Sequence, residues 1–304
     1  MSFLEQERAL FDLLFDSTVR ENFCRDSVVA LNQYELSEDE RNDFTEIRSD
    51  ALELDAEIRA DLLLSYFCRA FPVSFSIVSS FDGGLDVLKS LIDVETMRTE
   101  TVDRATLFGR RLGESLNTLS FDSSDDLAKI SAILEAELGM VWTGGSLKRE
   151  VLENGELYIK VPQLNDWSEK NIKLAPYVCA AIIPASFETL KKSFCPDTDC
   201  DLWRNLNKKP FAAKQRKKIL ENDDPILFVA RAYVSLMSRC EPTINQKTFE
   251  LSEGFASLFQ HVNGSVSVDY ILEQLKQIGA QDQMLQGIKS TFKQLLESEM
   301  LEFS

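Results

Sequence analysis

The chain has 304 residues, is 44% hydrophobic, and carries 50 acidic against 33 basic side chains, for a net charge of −17. That hydrophobic content supports packed cores in two or three domains and excludes a disordered protein. The acidic excess argues against a phosphate-binding nucleic-acid surface and against anionic membranes.

No apolar run reaches the length of a membrane span, and Met1–Arg8 has no basic segment leading into an apolar one. Six cysteines scattered over the chain fit a reducing compartment. A cytoplasmic protein without a signal peptide is expected.

Residues 1–140 read as a helical domain. Phe3, Leu4, Leu10, Phe11, Leu14 and Phe15 predict an amphipathic opening helix. Ser37 and Glu40 have capping-box spacing. Leu54, Ile58, Leu62 and Phe67 to Phe71 belong to a long helix that Pro72 ends. Residues 72–78 fit a strand or a new helix. Asp82-Gly83-Gly84 is a turn, and helices are expected over Asp86–Ile92, Thr101–Leu119 and Ser124–Leu138. Leu62 to Phe71 is more apolar than one helix face requires, which predicts burial against a partner.

Leu36 to Arg41 and Ile58 to Pro72 resemble the N-terminal part of partner subunits of multinuclear non-haem iron oxidases. The methanobactin and thiaglutamate biosynthetic systems contain such subunits. The resemblance implies that iron sits in a separate barrel subunit and that this chain holds no cofactor.

Residues 141–223 read as an α/β connector. Gly155–Val161 is a predicted strand, and Ile172–Ile183 is an apolar run of two strands broken at Pro176. Cys195 and Cys200 flank a polar loop with Asp197 and Asp199, yet the other four cysteines form no second pair, so a four-ligand zinc site is not expected. His261 is the only histidine, which excludes a multi-histidine iron site in this chain. Neither Gly83-Gly84 nor Gly144-Gly145 precedes Lys-Ser or Lys-Thr, so there is no phosphate loop. The basic run Lys208, Lys209, Lys214, Arg216, Lys217 and Lys218 is read as a solvated helix face. No catalytic or metal-binding residue is assigned.

Residues 224–304 read as a winged-helix-like module. An apolar run from Ile226 leads through a turn-like segment, Glu241–Gln246, to a short alternating strand, Lys247–Leu251. Three amphipathic helices follow: Phe255 to Val262, Val268 to Ile278, and one carrying Ile288, Phe292, Leu295 and Leu296. Leu301–Phe303 closes the module as a strand. The stretch from Phe259 to Leu272, with Leu295 to Leu301, resembles the PqqD-type precursor-peptide recognition element.

In that family the leader of a ribosomally made peptide adds as a strand beside the third helix. The resemblance therefore implies leader contacts at Lys247, Thr248, Phe249, Glu250, Leu251, Met284, Leu285, Ile288, Lys289, Phe292 and Lys293. Lys289 and Lys293 are expected to meet acidic leader residues.

The sequence thus predicts an α+β chain with a helical N-terminal domain, a mixed α/β middle and a C-terminal PqqD-like module. Its expected function is non-catalytic. It binds a precursor leader and, as one half of a heterodimer, presents the cysteine-containing core to an iron-dependent oxidase subunit of thiaglutamate or methanobactin type. The alternative is a winged-helix transcriptional regulator.

Overall fold

The computed structural model describes residues 3–155, 164–195, 201–221, 224–237 and 242–304. Its helices and strands make an α+β chain with two small antiparallel sheets. The helices of the first half are α1 (Phe3–Phe15), α2 (Ser17–Arg25), α3 (Ser27–Ala30), α4 (Glu38–Thr45), α5 (Ser49–Ala70), α6 (Pro72–Ser79), α7 (Gly84–Ser90), α8 (Val94–Arg98) and α9 (Thr101–Ser115). Then follow α10 (Ser124–Asn154), β1 (Asn171–Leu174), β2 (Val178–Ile183), α11 (Phe187–Phe194), α12 (Leu202–Lys208) and α13 (Ala213–Leu220). The chain ends with β3 (Ile226–Met237), β4 (Pro242–Ser252), α14 (Ala256–Phe259), β5 (Asn263–Ser267), α15 (Val268–Gln277), α16 (Asp282–Glu297) and β6 (Leu301–Phe303). No single helix among the described residues is long and apolar enough to cross a membrane.

The chain divides into two compact units, one of residues 1–122 with 194–217 and one of residues 123–193 with 218–304. The division differs from the boundaries expected at 140 and 223. The boundary at 140 falls inside α10, which continues past the end expected at Leu138 and through Gly144-Gly145. Thr143, Leu147 and Val151 bury one face of α10 along its whole second half, and that burial carries the helix across the glycines.

The first unit is helical because its caps and apolar spacing agree. Ser37 Oγ accepts from the Glu40 amide at 3.3 Å, and the Ser37 amide donates to Glu40 Oε2 at 2.7 Å, closing the capping box. Residues 72–78 are helical, with Pro72 in the first turn of α6 where its missing N–H costs nothing. The chain turns through 117° between α5 and α6.

This bend gathers an aromatic core. Phe67 stacks on Phe108 with ring centroids 4.2 Å apart, and Phe75 meets Trp203 edge-on at 6.1 Å. Trp203 Nε1 donates to Asp61 Oδ1 at 2.9 Å and Ser65 Oγ donates to Asp201 Oδ1 at 2.7 Å, which pins α12 to α5. The apolar excess of Leu62 to Phe71 therefore splits: Leu64, Phe67, Cys68 and Phe71 fill this unit's own core, while Leu62 and Tyr66 face solvent.

The second unit holds both sheets. Strand order in one is β5-β1-β6 and in the other β2-β3-β4, every pair antiparallel. The break expected at Pro176 is present, but it sends the two strands to different sheets: β1 lies between β5 and β6, while β2 pairs with β3. They are thus parts of the C-terminal structure rather than of a separate connector. The strand predicted over Gly155–Val161 lies outside the described residues, apart from Gly155, which ends α10 at φ 79°.

The helix expected over Phe255 to Val262 is only a 3-10 turn followed by the single-turn α14. Phe255, Leu258 and Val262 are buried as predicted, but Asn263–Ser267 is drawn into β5 by pairing with β1. α15, α16 and β6 lie where the sequence placed them.

Candidate functional site

β3 and β4 form a long hairpin whose alternation decides what each residue meets. Val229 pairs with Phe249 and Leu227 with Leu251, and this face packs on the core made by Phe255, Leu258, Ile271, Ile288, Phe292 and Leu295. The opposite face sends Ala232, Val234 and Ile244 against Leu147 and Val151 of α10. The hairpin is thereby held between α10 and α16. Arg231, buried on β3, is ion-paired with Glu299, which adopts φ 57° in the turn after α16.

β4 pairs with β3 along one edge and with no other described strand along the other. Its free edge presents backbone donors and acceptors at the regular spacing that an added strand would take up.

The residues expected to contact a peptide have diverse settings. Lys247 and Thr248 are exposed on β4. Phe249 and Leu251 are half-buried against the core shared with α16. Glu250 caps α11, its Oε1 accepting from the amides of Phe187 at 2.8 Å and Glu188 at 3.4 Å. On α16, Ile288 and Phe292 belong to the core, Leu285 is half-buried and Met284 is exposed.

Lys289 Nζ lies 2.9 Å from Asp269 Oδ1 and 5.8 Å from the centre of the Trp167 ring. Lys293 Nζ lies 3.8 Å from Glu297. Both lysines are therefore engaged within the chain. Partial burial acts to raise the pKa of Asp269, but hydrogen bonds from Lys289 and Ser168, with the lysine charge, hold it below its ordinary value.

Sequence reasoning missed Gln246, next to the predicted strand. Its Nε2 donates to the Met140 carbonyl at 2.9 Å, while its Oε1 is buried without a hydrogen-bond partner. A Cβ at Gly144 would lie 3.4 Å from Gln246 Nε2 and 3.7 Å from Ile244, so the glycine lets α10 approach this strand closely. No spacing rule signals that contact, because it joins residues about a hundred positions apart.

Of the cysteine pair, Cys195 is buried with Sγ 3.7 Å from Ser76 Oγ, and Cys200 lies outside the described residues. His261 is exposed in the turn before β5. The basic run is only partly a solvated face: Arg216 is buried, stacks 3.5 Å over Phe81 and donates to Ser80 Oγ at 2.9 Å, and Lys217 pairs with Asp122 at 3.0 Å.

Comparison with protein-family models, with curated proteins and with solved structures gave no match.

Proposed function

We propose that this chain is the non-catalytic, substrate-recruiting subunit of a two-subunit, iron-dependent peptide-modifying oxidase. In this reading β4 captures the leader of a ribosomally made precursor as an added strand, and the partner subunit holds the iron that oxidises the cysteine-containing core. The observation that carries the reading is the edge of β4 that no described strand covers, which lies on the same core as α16.

Two further features support it. We read α14 to β6, with β1 as the middle strand, as a winged-helix-like module of PqqD-like type: a three-stranded sheet with α15 and α16 beside it. The exposed face of α16 carries Gln283, Met284, Gln286 and Ser290 rather than a row of cations, which suits a peptide better than a phosphate backbone. Lys289 and Lys293 are assigned to ion pairs within the chain, so leader specificity in this reading comes from Met284, Leu285 and the groove beside β4.

Successive residues of an edge strand point their N–H groups alternately inward and outward. Lys247→Pro and Thr248→Pro therefore remove one donor each, one towards β3 and one towards the free edge. Calorimetry with a ribosomally made precursor peptide, sought among the products of neighbouring genes, is expected to show binding. The proline variant that retains the wild-type unfolding temperature should bind at least tenfold more weakly, about 1.4 kcal/mol. Unchanged affinity in that variant would place the peptide elsewhere. Tight, salt-sensitive DNA binding with no peptide binding would favour the regulator instead.

A further inference from the structure

α5 leaves an apolar row uncovered. Leu54, Ile58, Leu62 and Tyr66 recur every four residues and form one slanting stripe. They are 57%, 50%, 67% and 46% exposed. The buried residues of the helix, among them Ala56, Leu64 and Phe67, lie on its opposite side and hold the core.

One position ahead of the stripe runs a second row at the same spacing: Glu53, Glu57 and Asp61. Glu57 and Asp61 also form part of the wall of a cavity of about 1150 Å³ whose charged lining is mixed, Asp16, Asp93 and Glu95 with Arg20, Lys89 and Arg98. Asp61 accepts from the Trp203 indole and Glu53 accepts from Cys24 Sγ at 3.8 Å, while Glu53 and Glu57 are exposed and hold no ion pair among the described residues. The far border of the stripe is neutral, because Arg59 is paired with Asp55 at 2.9 Å. Like charges four apart oppose helix formation, and an exposed aliphatic row contributes little to folding. Neither feature helps α5 as an isolated element.

We propose that this face of α5 docks a partner protein through a helix whose apolar ridge is bordered along one side by lysines or arginines. The charge pattern selects that occupant. An apolar ridge would cover Leu54, Ile58, Leu62 and Tyr66, and its cations would meet Glu53 and Glu57. A second copy docked antiparallel would set the same acidic row against itself, and in either orientation it would add no cations to meet Glu53 and Glu57 beyond Arg59, which is paired with Asp55, in a protein whose net charge is already −17. The proposal rests on α5 alone and is independent of peptide capture at β4.

The test uses the full chain and a synthetic 18-residue amphipathic helix with leucines on one face and lysines along one border. A matched peptide carries glutamates in place of the lysines. Fluorescence anisotropy is expected to show binding of the lysine peptide that weakens with salt, and much weaker binding of the glutamate peptide. Ile58→Ser with Leu62→Ser, and separately Glu53→Gln with Glu57→Gln, should each weaken binding at least tenfold. Glu7→Gln with Glu21→Gln makes the same charge change elsewhere and should leave it within twofold. The substituted side chains are exposed, so circular dichroism and thermal unfolding should not change. Absent binding, equal losses in all three variants, or a preference for the glutamate peptide would overturn the proposal. A wild-type dimer in sedimentation that the stripe variant makes monomeric would overturn it as well, by assigning the face to self-association.

Discussion

Phe292 is the residue on which the seating of β4 against α16 most depends. Its ring is fully buried, 5.1 Å from that of Phe255, in the core that also takes Leu227, Val229, Phe249 and Leu251 from the hairpin. Phe292→Ala removes the ring and leaves a cavity that two sheets and three helices cannot close together. The expected cost is about 3–5 kcal/mol. For a unit of roughly 150–250 residues each kcal/mol lowers the melting temperature by about 2–4 °C, so the transition of the second unit should fall by about 6–20 °C. Phe292→Leu keeps most of the apolar volume and should cost about 1–1.5 kcal/mol. Differential scanning calorimetry of the two variants measures both shifts. A drop below about 3 °C for the alanine variant would mean that the ring is not tightly enclosed and that β4 is not held on α16 through this core.

Two glycines should respond oppositely to alanine. Gly287, exposed within α16, has nothing within 4 Å of a new Cβ, so Gly287→Ala should stabilise the second unit by about 0.5–1 kcal/mol. A methyl at Gly84 would land inside the Val78 carbonyl, so Gly84→Ala should destabilise the first unit by about 1–3 kcal/mol. Urea titration of each variant checks the signs. Burial pushes the Cys179 thiol up to about 11, which leaves roughly a thousandth of it as thiolate at pH 8. Iodoacetamide labelling followed by peptide mass spectrometry should find Cys179 at least a hundredfold slower than a free thiol; comparable rates would mean that this strand opens readily.

Helix starts were legible because they are local. Ser37 with Glu40, Ser123, Ser267 and Pro72 all mark helix ends within three or four residues of the groups they serve. Strand partners were not. Nothing near Ile172 announces that it lies between β5 and β6, whose residues are about ninety to a hundred and thirty positions further on. The continuation of α10 past Gly144-Gly145 was hidden for the same reason, since the burial that holds it comes from β3 and β4.

The candidate helix was read at its true position, whereas β4 starts at Pro242, inside the segment Glu241–Gln246 that reads as a turn, because pairing with β3 extends it. The roles of several side chains were not legible either. Spacing alone makes Lys289 a free cation, but α15 brings Asp269 to it. Glu250 looks like an exposed strand residue, yet it is the cap of α11. Ile288 looks available on a helix face, yet the sheet buries it.

Hydrogen exchange followed by mass spectrometry, on the full chain with and without its precursor peptide, tests the central claim most directly. An added strand pairs with the outward amides of β4, so exchange across Lys247–Leu251 should slow at least tenfold at saturating peptide, with smaller protection around Met284 and Leu285 on α16. Binding that leaves β4 exchange unchanged and protects another surface would contradict strand addition at this edge.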